Sequence, residues 1–291
     1  MIWLIGDKGM LGTELSLLLE EKGVSFIGTD SEVDITDPAA LKGFVKKQAE
    51  AFTWVINCAA YTAVDKAEDD RENCRLLNTI GAGNIAYTAH RAGARVIHVS
   101  TDYVFDGGGN SPYTEGDTTR PTGVYGLTKR DGELEVMAEN ESSYIVRTAW
   151  LYGKHGSNFV NTMLRLMNES DEVKVVDDQK GSPTWAGDLA AAVLAIIEAV
   201  GNGKAVPFGI YHYTNGGMTT WFEFAEEIYL RGRELGRITK ECVVKPCTSA
   251  DYPSKAKRPG YSVLETSRIK NALGITIPAW EESLQKYLET L

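Results

Sequence analysis

The feature of this sequence that most restricts its fold is an alternation of short apolar runs with helical stretches. The runs are I-W-L-I (2–5), V-S-F-I-G-T (24–29), W-V-I-N-C-A (54–59), R-V-I-H-V (95–99) and Y-I-V-R-T (144–148). Between the first two, Leu11, Leu15, Leu18 and Leu19 recur with the spacing of one helix face. Strands that are apolar throughout need cover on both faces, and helices between them supply right-handed crossovers. We therefore expect an α/β fold with a doubly wound parallel sheet.

The second half of the chain keeps this rhythm less strictly. V-K-V-V-D-D (173–178) predicts a further strand, and helices are expected over 187–200, 219–231, 266–273 and 279–290. We expect one domain over residues 1–153, to which a segment at about 177–200 returns. A smaller C-terminal α/β domain is then made mostly of residues 154–291. The long loop at 248–262 has no pattern of regular structure, which is typical of a functional loop.

Composition narrows the classes of partner. The chain has 291 residues, 43% of them hydrophobic, and a formal net charge of −10, which disfavours nucleic acid. Its four cysteines form no C-x-x-C pair and have no histidine at zinc-like spacing, so we expect reduced thiols, no metal site and a cytoplasmic location. The start M-I-W-L-I-G lacks the basic region of a signal peptide, and the apolar run at 189–197 is too short for a membrane span.

A glycine-rich turn, G-D-K-G-M-L-G, joins the first strand to the first helix. Gly6 permits a tight turn, Gly9 lets the backbone approach a pyrophosphate, and Gly12 lets helix and strand pack closely. The free N–H groups at the helix start would hold the pyrophosphate. A purely structural turn is the alternative. In this strand-to-helix context, the motif predicts a dinucleotide-binding (Rossmann) domain.

The ends of the second and third strands extend this hypothesis. Asp30 follows Gly12 by 18 residues and suits the adenosine ribose hydroxyls, although a solvated turn residue is the alternative. Its charge would repel a 2′-phosphate, which slightly favours NADH over NADPH, whereas Lys8 could hold a phosphate. Asp34 and Ile35 could flank the adenine. The small residues of N-C-A-A-Y-T (57–62) would admit a nicotinamide ribose, or would serve only tight core packing.

Polar side chains at the end of the fourth strand and on the next helix predict a reaction. In S-T-D-Y-V-F-D-G (100–107), Thr101 and Asp102 stand where the chain leaves the core, and a polar turn is the alternative. Tyr125 and Lys129 share a helix face at i and i+4, a spacing that also arises by chance. Hydride addition to a carbonyl needs a proton donor and a hydrogen bond for the oxygen. We expect Tyr125 to donate, the Lys129 cation to lower the pKa of Tyr125 and bind ribose hydroxyls, and Thr101 to supply the hydrogen bond.

Together these motifs resemble the extended short-chain dehydrogenase/reductases. The resemblance is narrower to the dTDP-4-dehydrorhamnose reductases, carried by S-T-D-Y-V-F-D-G, V-Y-G-L-T-K (124–129), R-T-A-W-L-Y-G (147–153), D-D-Q-K-G-S-P-T (177–184) and R-P-x-x-S-x-L (258–264). It implies NADH- or NADPH-dependent reduction of the 4-keto group of dTDP-4-dehydro-L-rhamnose to dTDP-L-rhamnose, a precursor of cell-surface polysaccharide. It also implies a substrate-binding role for the C-terminal domain.

The resemblance assigns roles to individual residues. Thr101, Tyr125 and Lys129 would be catalytic, with Tyr125 and Lys129 also at the cofactor. The cofactor would further be lined by Gly9, Met10, Leu11, Asp30, Asp34, Ile35, Ala60, Tyr61 and Thr62. Asp102 and Trp150 would contact the sugar nucleotide, Trp150 with a flat ring against a sugar face. Lys257 and Arg258 could pair with its diphosphate or be solvated loop charges.

Other readings stay open. A nucleotide-sugar 4,6-dehydratase would carry Thr-Asp-Glu at the strand end, whereas Asp102 is followed by Tyr103, which favours ketone reduction. A different 4-ketoreductase, a 4-epimerase, or a non-catalytic regulatory subunit of the same fold are the remaining alternatives. Some relatives are dimers bridged by Mg²⁺ through glutamates. Glu14 matches one such position, but Gly187 replaces another, so Mg²⁺ is not expected and the chain would be a monomer or homodimer.

Overall fold

The computed structural model describes residues 1–291. The strands are β1 (Ile2–Ile5), β2 (Phe26–Thr29), β3 (Trp54–Asn57), β4 (Arg95–Thr101), β5 (Ser143–Thr148), β6 (Leu151–Tyr152), β7 (Glu172–Val176), β8 (Lys180–Gly181), β9 (Thr184–Trp185), β10 (Gly209–His212), β11 (Thr219–Thr220) and β12 (Val243–Cys247). The helices are α1 (Met10–Glu21), α2 (Pro38–Lys46), α3 (Val64–Ala67), α4 (Arg71–Arg75), α5 (Ala82–Arg91), α6 (Val124–Glu139), α7 (Phe159–Glu169), α8 (Ala186–Gly201), α9 (Trp221–Glu234), α10 (Ser267–Leu273) and α11 (Trp280–Glu289).

Six strands form the central sheet, in the order β10-β5-β4-β3-β1-β2, and every pair in it is parallel. All five apolar runs of the first half are strands of this sheet, so the predicted doubly wound α/β fold is confirmed. The sequence reading missed β10, a short strand that follows Pro207 and lies at the sheet edge. The parallel register brings Ile5, Thr29 and Asn57 level with one another, so these strands end along one edge.

Two apolar cores cover the two faces of the sheet. One contains the predicted helix face of Leu11, Leu15 and Leu19, packed with apolar residues of α8 such as Val193. The other contains Trp3 and apolar residues of α2, α5 and α6. The helix α2 begins as its sequence predicts, because the Asp37 side chain accepts a hydrogen bond of 2.8 Å from the backbone N–H of Ala39. Crossover helices therefore lie on both faces, as a doubly wound sheet requires.

A third core lies outside the sheet and is built from the C-terminal half. Its buried members include Phe224 of α9, Tyr287 of α11 and Val173 of β7. The helix α8 instead packs against α1 on the sheet. The division of the chain at residue 153 stays a prediction. No helix of the structure combines the length and the apolar character that crossing a membrane requires.

Candidate active site

A cavity of about 790 Å³ opens along the carboxyl edge of the central sheet. It is lined by most of the predicted site residues: Gly6, Gly9, Met10, Leu11, Gly12, Asp30, Asp34, Ile35, Ala60, Thr62, Thr101, Asp102, Tyr125, Lys129 and Trp150. The candidates Lys8, Tyr61, Lys257 and Arg258 do not line it. Residues from both halves of the sequence pattern, the glycine turn and the Tyr-x-x-x-Lys helix, thus face one space.

At one end of the cavity, the glycine turn leaves backbone groups bare. Gly6 has a φ of 80°, which glycine adopts readily. A Cβ on Gly12 would lie 2.0 Å from the Gly6 carbonyl oxygen, so only glycine fits there. The helix α1 begins after Gly9, and no side chain caps its first N–H groups. These free donors at a helix start suit a pyrophosphate, so the residues present fit a dinucleotide cofactor.

Acidic side chains surround the far side of this end. The Asp30 backbone N–H donates to Glu32 over 2.9 Å, and Asp34 accepts from the Thr36 hydroxyl over 2.7 Å. The hydrogen bond from Thr36 lowers the pKa of Asp34, which favours its charged form. Lys8, the residue that could have held a phosphate, lies 3.5 Å from the Glu32 carboxylate. Three carboxylates and one ammonium group therefore give this rim a net negative charge.

Beyond the third strand, the chain presents small residues to the cavity. Ala60 and Thr62 line it, whereas Tyr61 points elsewhere. The backbone N–H of Tyr61 donates to Asn78 over 2.8 Å, and its hydroxyl donates to Asp70 over 3.1 Å. Tyr61 therefore anchors this turn to the residue that precedes α4 and to the π-helical turn Leu76–Gly81 that follows α4.

Tyr125 and Lys129 stand one turn apart on α6, and both face the cavity. The Lys129 ammonium donates to the Val99 carbonyl over 2.7 Å, and burial lowers the pKa of Lys129 to about 8. Burial raises the pKa of Tyr125, which differs from the lowered pKa expected from the sequence. The physical reason is that desolvation of the phenolate outweighs the favourable influence of neighbouring groups such as the Thr101 hydroxyl.

Thr101 and Asp102 form a pair at the end of β4. The Thr101 hydroxyl donates to Asp102 Oδ1 over 2.9 Å and accepts from the Tyr103 backbone N–H over 3.2 Å. Its hydrogen is thus directed to Asp102 in this structure. Burial raises the pKa of Asp102 to about 6. The second oxygen of Asp102 is buried without a hydrogen-bond partner, as is the Thr148 hydroxyl on the same cavity wall. Buried polar atoms without partners are rare, and these two suit the hydroxyl groups of a ligand.

Trp150 closes the opposite end of the cavity in an unusual backbone conformation. Its φ is 48°, the only positive φ among the non-glycine residues. Its ring stacks on Trp221 at 3.5 Å with an interplanar angle of 9°. A Cβ on Gly181 would lie 2.4 Å from the Trp150 ring, so Gly181 leaves room for it. Sequence reasoning missed Trp221, which no motif marks. Gly181 lies within the quoted D-D-Q-K-G-S-P-T stretch, but its spacing alone gives it no role.

Arg258 lies beside the cavity and not on its wall. It donates to the Tyr103 hydroxyl over 2.9 Å and forms an ion pair with Asp65 at 2.5 Å. Asp65 also accepts from the Ala256 backbone N–H over 3.0 Å, which ties the 248–262 loop to α3. Without a ligand, Arg258 pairs with a carboxylate of the same chain, and its contact with the substrate stays a prediction. Lys257 is exposed.

The residues present do not form a metal site. The structure contains no group of three or more His, Cys, Asp or Glu side chains placed to hold an ion. A Cβ on Gly187 would lie 2.7 Å from the Trp185 ring, so a larger side chain there would displace that ring. The absence of a bridging Mg²⁺ stays a prediction.

Known proteins match the chain over nearly its whole length. The profile of the family described as RmlD substrate binding domain matches residues 1–291. A dTDP-4-dehydrorhamnose reductase of Streptomyces griseus is 44% identical, over 99% of this chain and 93% of that protein. A probable dTDP-4,6-dihydroxy-2-methyloxan-3-one 4-ketoreductase of Streptomyces antibioticus is 40% identical, over 98% of this chain and 94% of that protein.

Solved structures agree with this match. A dTDP-4-dehydrorhamnose reductase of Bacillus anthracis, crystallised in complex with NADP, superposes with a TM-score of 0.92 at 34% identity, covering 100% of this chain and 99% of that one. The fold, the glycine turn and the full-length similarity point the same way. The chain belongs to the RmlD substrate binding domain family, alongside the dTDP-4-dehydrorhamnose reductases that it matches.

Proposed function

We propose that the protein reduces the 4-keto group of dTDP-4-dehydro-L-rhamnose to give dTDP-L-rhamnose, using a nicotinamide cofactor. The observation that carries this proposal is that Tyr125, Lys129 and Thr101 face the same cavity as the bare backbone of the glycine turn. A proton donor and a dinucleotide cradle in one space are what carbonyl reduction by hydride requires. The similarity to named reductases at 44% identity supports the choice of substrate.

The cofactor, when bound, supplies the hydride. The residues of the chain donate the proton and stabilise the charge that develops. Tyr125 donates its phenolic proton to the oxygen that gains negative charge, and the Lys129 ammonium on the next turn of α6 stabilises the tyrosinate that remains. Since burial raises the pKa of Tyr125, its proton leaves only when the substrate oxygen becomes a strong acceptor. The unpartnered oxygen of Asp102 accepts a hydrogen bond from a sugar hydroxyl.

Ketone reduction suits this site better than dehydration. A dehydratase needs an acid and a base next to the strand-end threonine. Here Tyr103 occupies that place, its ring packs edge-on against Tyr125 at 5.4 Å, and its hydroxyl accepts from Arg258. A different 4-ketoreductase activity is the second candidate, because the Streptomyces antibioticus relative carries such a name. Rates with the two dTDP-linked ketones, measured side by side, separate these candidates.

The cofactor preference follows from charge. Asp30 lines the cavity, its backbone N–H donates to Glu32, and Lys8 is paired with Glu32 at 3.5 Å, so this region would repel a 2′-phosphate. We therefore infer a preference for NADH over NADPH, measured as the ratio of the two kcat/KM values. A monomeric or homodimeric state stays a prediction.

Replacement of the proposed proton donor tests the function. Tyr125→Phe should retain cofactor binding, followed by fluorescence titration, and should lose about 10²–10⁴-fold in turnover of dTDP-4-dehydrorhamnose. Tyr87→Phe is the matched control, because Tyr87 is an exposed tyrosine of α5 and does not line the cavity. Turnover in Tyr125→Phe close to that of the unmodified protein would show that Tyr125 is not the donor. Absence of nicotinamide oxidation by the unmodified protein, with either cofactor, would refute the reductase activity itself.

A further inference from the structure

A buried row of three polar side chains stands behind the catalytic wall of the cavity. Asn57 ends β3, His98 lies beside it in the register of β4, and Lys129 reaches them from α6. All three are 2% exposed or less. Asn57 Nδ2 lies 2.9 Å from His98 Nδ1, and His98 Nε2 lies 3.4 Å from Lys129 Nζ. The row therefore connects the turn at the cofactor end with the ammonium group at the reacting end.

The orientation of the Asn57 amide is fixed by the backbone. The Ala59 N–H donates to Asn57 Oδ1 over 3.0 Å, and an N–H can point only at an acceptor. The other half of the amide, the NH₂ group, must then face His98. Because Asn57 Nδ2 is a donor, His98 Nδ1 is the acceptor of that hydrogen bond.

This contact decides which tautomer His98 adopts. Burial holds the pKa of His98 well below its ordinary range, and the nearby Lys129 charge acts in the same direction, so the imidazole is neutral. A neutral imidazole carries one N–H, and with Nδ1 accepting, that hydrogen is on Nε2. The Nε2–H group then faces Lys129 Nζ. A free amine can accept this hydrogen bond, whereas an ammonium has no lone pair to do so.

Other groups act on Lys129 from every element around it. Glu133 lies one turn further along α6 and favours the ammonium. Its carboxylate is held by Arg147 through two contacts, of 2.8 and 2.6 Å, and accepts from the Ser100 hydroxyl. The thiols of Cys58 and Cys74 act weakly in the same direction as Glu133, while burial favours the amine. His98 therefore supports the amine against Glu133, and the two forms lie close in free energy.

We propose that Asn57 and His98 are positioning residues for Lys129: Asn57 fixes the Nε2–H tautomer of His98, and that N–H holds Lys129 in place and favours its amine form. This inference rests on the proposed function only in assigning Lys129 to the reaction. Its consequence is that Lys129 exchanges protons near neutral pH without leaving its place on the cavity wall, and that its ammonium form is the one that stabilises the tyrosinate. Neither Asn57 nor His98 lines the cavity, so both act through Lys129.

The tautomer is measured directly on the unmodified protein. The chain has four histidines, so ¹⁵N labelling of the imidazoles gives four ring patterns, and His98→Asn identifies the one that belongs to His98. We expect a neutral ring with hydrogen on Nε2 at neutral pH. A ring with hydrogen on Nδ1, or an imidazolium, overturns the proposal. This measurement needs no substrate, so its outcome is independent of whether the protein is a reductase.

Two amide replacements of His98 test the link to Lys129. The amide of His98→Gln reaches the place of Nε2 and can keep a donor facing Lys129, whereas His98→Asn reaches only the place of Nδ1 and removes it. The readout is the titration of Lys129, followed by the NMR shifts of its ¹³Cε and ¹⁵Nζ. The pKa of Lys129, about 8 in the native protein, should rise by about one unit in His98→Asn and stay near its native value in His98→Gln. An unchanged pKa in His98→Asn, or an equal rise in both variants, overturns the proposal.

Discussion

The two ends of the cavity are built in different ways. The cofactor end follows β1, β2 and β3, three neighbouring strands of one parallel sheet, and its main donors are backbone groups. The opposite end joins side chains far apart in sequence, such as Trp150 on the wall with Trp221 behind it, and Asp65 with Arg258 beside the cavity. One end is a property of the sheet edge, whereas the other depends on how the C-terminal half docks onto it.

This difference determines what each end tolerates. Where backbone binds a ligand, function depends on the absence of a side chain, and a single added carbon blocks it. Where side chains bind a ligand, function depends on the groups that hold those side chains in place. A substitution there weakens or strengthens ligand binding without abolishing it. We therefore expect abrupt losses at the cofactor end and graded changes at the other.

The largest effect should come from adding one carbon to the glycine turn. In Gly12→Ala, the new Cβ would meet the Gly6 carbonyl oxygen at 2.0 Å, a backbone atom that cannot rotate away. The turn must move to relieve this contact, so affinity for NADH should fall on the order of a hundredfold or more. Isothermal titration of the cofactor measures it.

A second glycine supplies the control. Gly43 lies within α2, and a Cβ there would meet nothing within 4 Å. Gly43→Ala should leave cofactor affinity unchanged and raise the free energy of unfolding by about 1 kcal/mol. Normal cofactor binding by Gly12→Ala would show that the turn is not the pyrophosphate cradle, and the contrast between the two ends would fail.

The same contrast explains what the sequence could and could not predict. The cofactor end can be predicted from sequence because local signals suffice there. Apolar runs mark strands, the glycines mark the turn, and parallel strands bring their ends to one edge. Tyr125 and Lys129 can also be predicted, because the spacing of residues on one helix face is a local pattern. Gly6, Gly9, Gly12, Tyr125 and Lys129 all line the cavity of the structure.

The other end cannot be predicted from local sequence patterns because its contacts join residues far apart in the chain. No local pattern shows that Trp221 stacks on Trp150, or that Asp65 pairs with Arg258. The direction of the pKa shift of Tyr125 also cannot be predicted from sequence, since it depends on how much of the folded protein surrounds the phenol. Such quantities follow from three-dimensional packing rather than from residue spacing.

Asp102, on the wall of the cavity, should show an intermediate effect. Its pKa is raised from an ordinary value of 3.8 to about 6, so the folded protein holds this proton more tightly than the unfolded chain does. Stability from this group is therefore fully present below pH 3.8 and is lost as pH rises to about 6. Asp102→Asn keeps an oxygen for the Thr101 hydroxyl and removes the charge. At pH 7 its free energy of unfolding should rise by up to about 3 kcal/mol, while turnover falls.

Urea unfolding across this pH range checks the prediction. The gain in Asp102→Asn should disappear in acid, where the native carboxyl is protonated. Asp106→Asn should show the opposite sign at neutral pH, because hydrogen bonds from Gly108 and Tyr113 lower the pKa of Asp106 and stabilise its charged form. A difference in the free energy of unfolding between Asp102→Asn and the native protein that stays constant at all pH values would mean that burial does not raise the pKa of Asp102.

The smallest effect is expected at the loop contact. Asp65 pairs with Arg258, and Asp69 forms a second ion pair with Lys255 of the same loop. If the Asp65 carboxylate competes with the substrate diphosphate for Arg258, Asp65→Asn should lower KM for the dTDP-sugar about two- to fivefold, since partly exposed charge pairs contribute little. The amide keeps the Oδ1 atom that accepts from the Ala256 N–H, so the loop stays attached.

Asp69→Asn provides the matched comparison, because it removes the same charge from an ion pair whose two side chains are both 63% exposed. Its KM should stay at the native value, and the gain in Asp65→Asn should shrink as salt screens the charges. A rise in KM for Asp65→Asn would mean that the carboxylate holds Arg258 ready for the substrate rather than competing with it. Equal changes in both variants would instead reflect the overall charge of the surface, and would show that Arg258 does not pair with the substrate diphosphate.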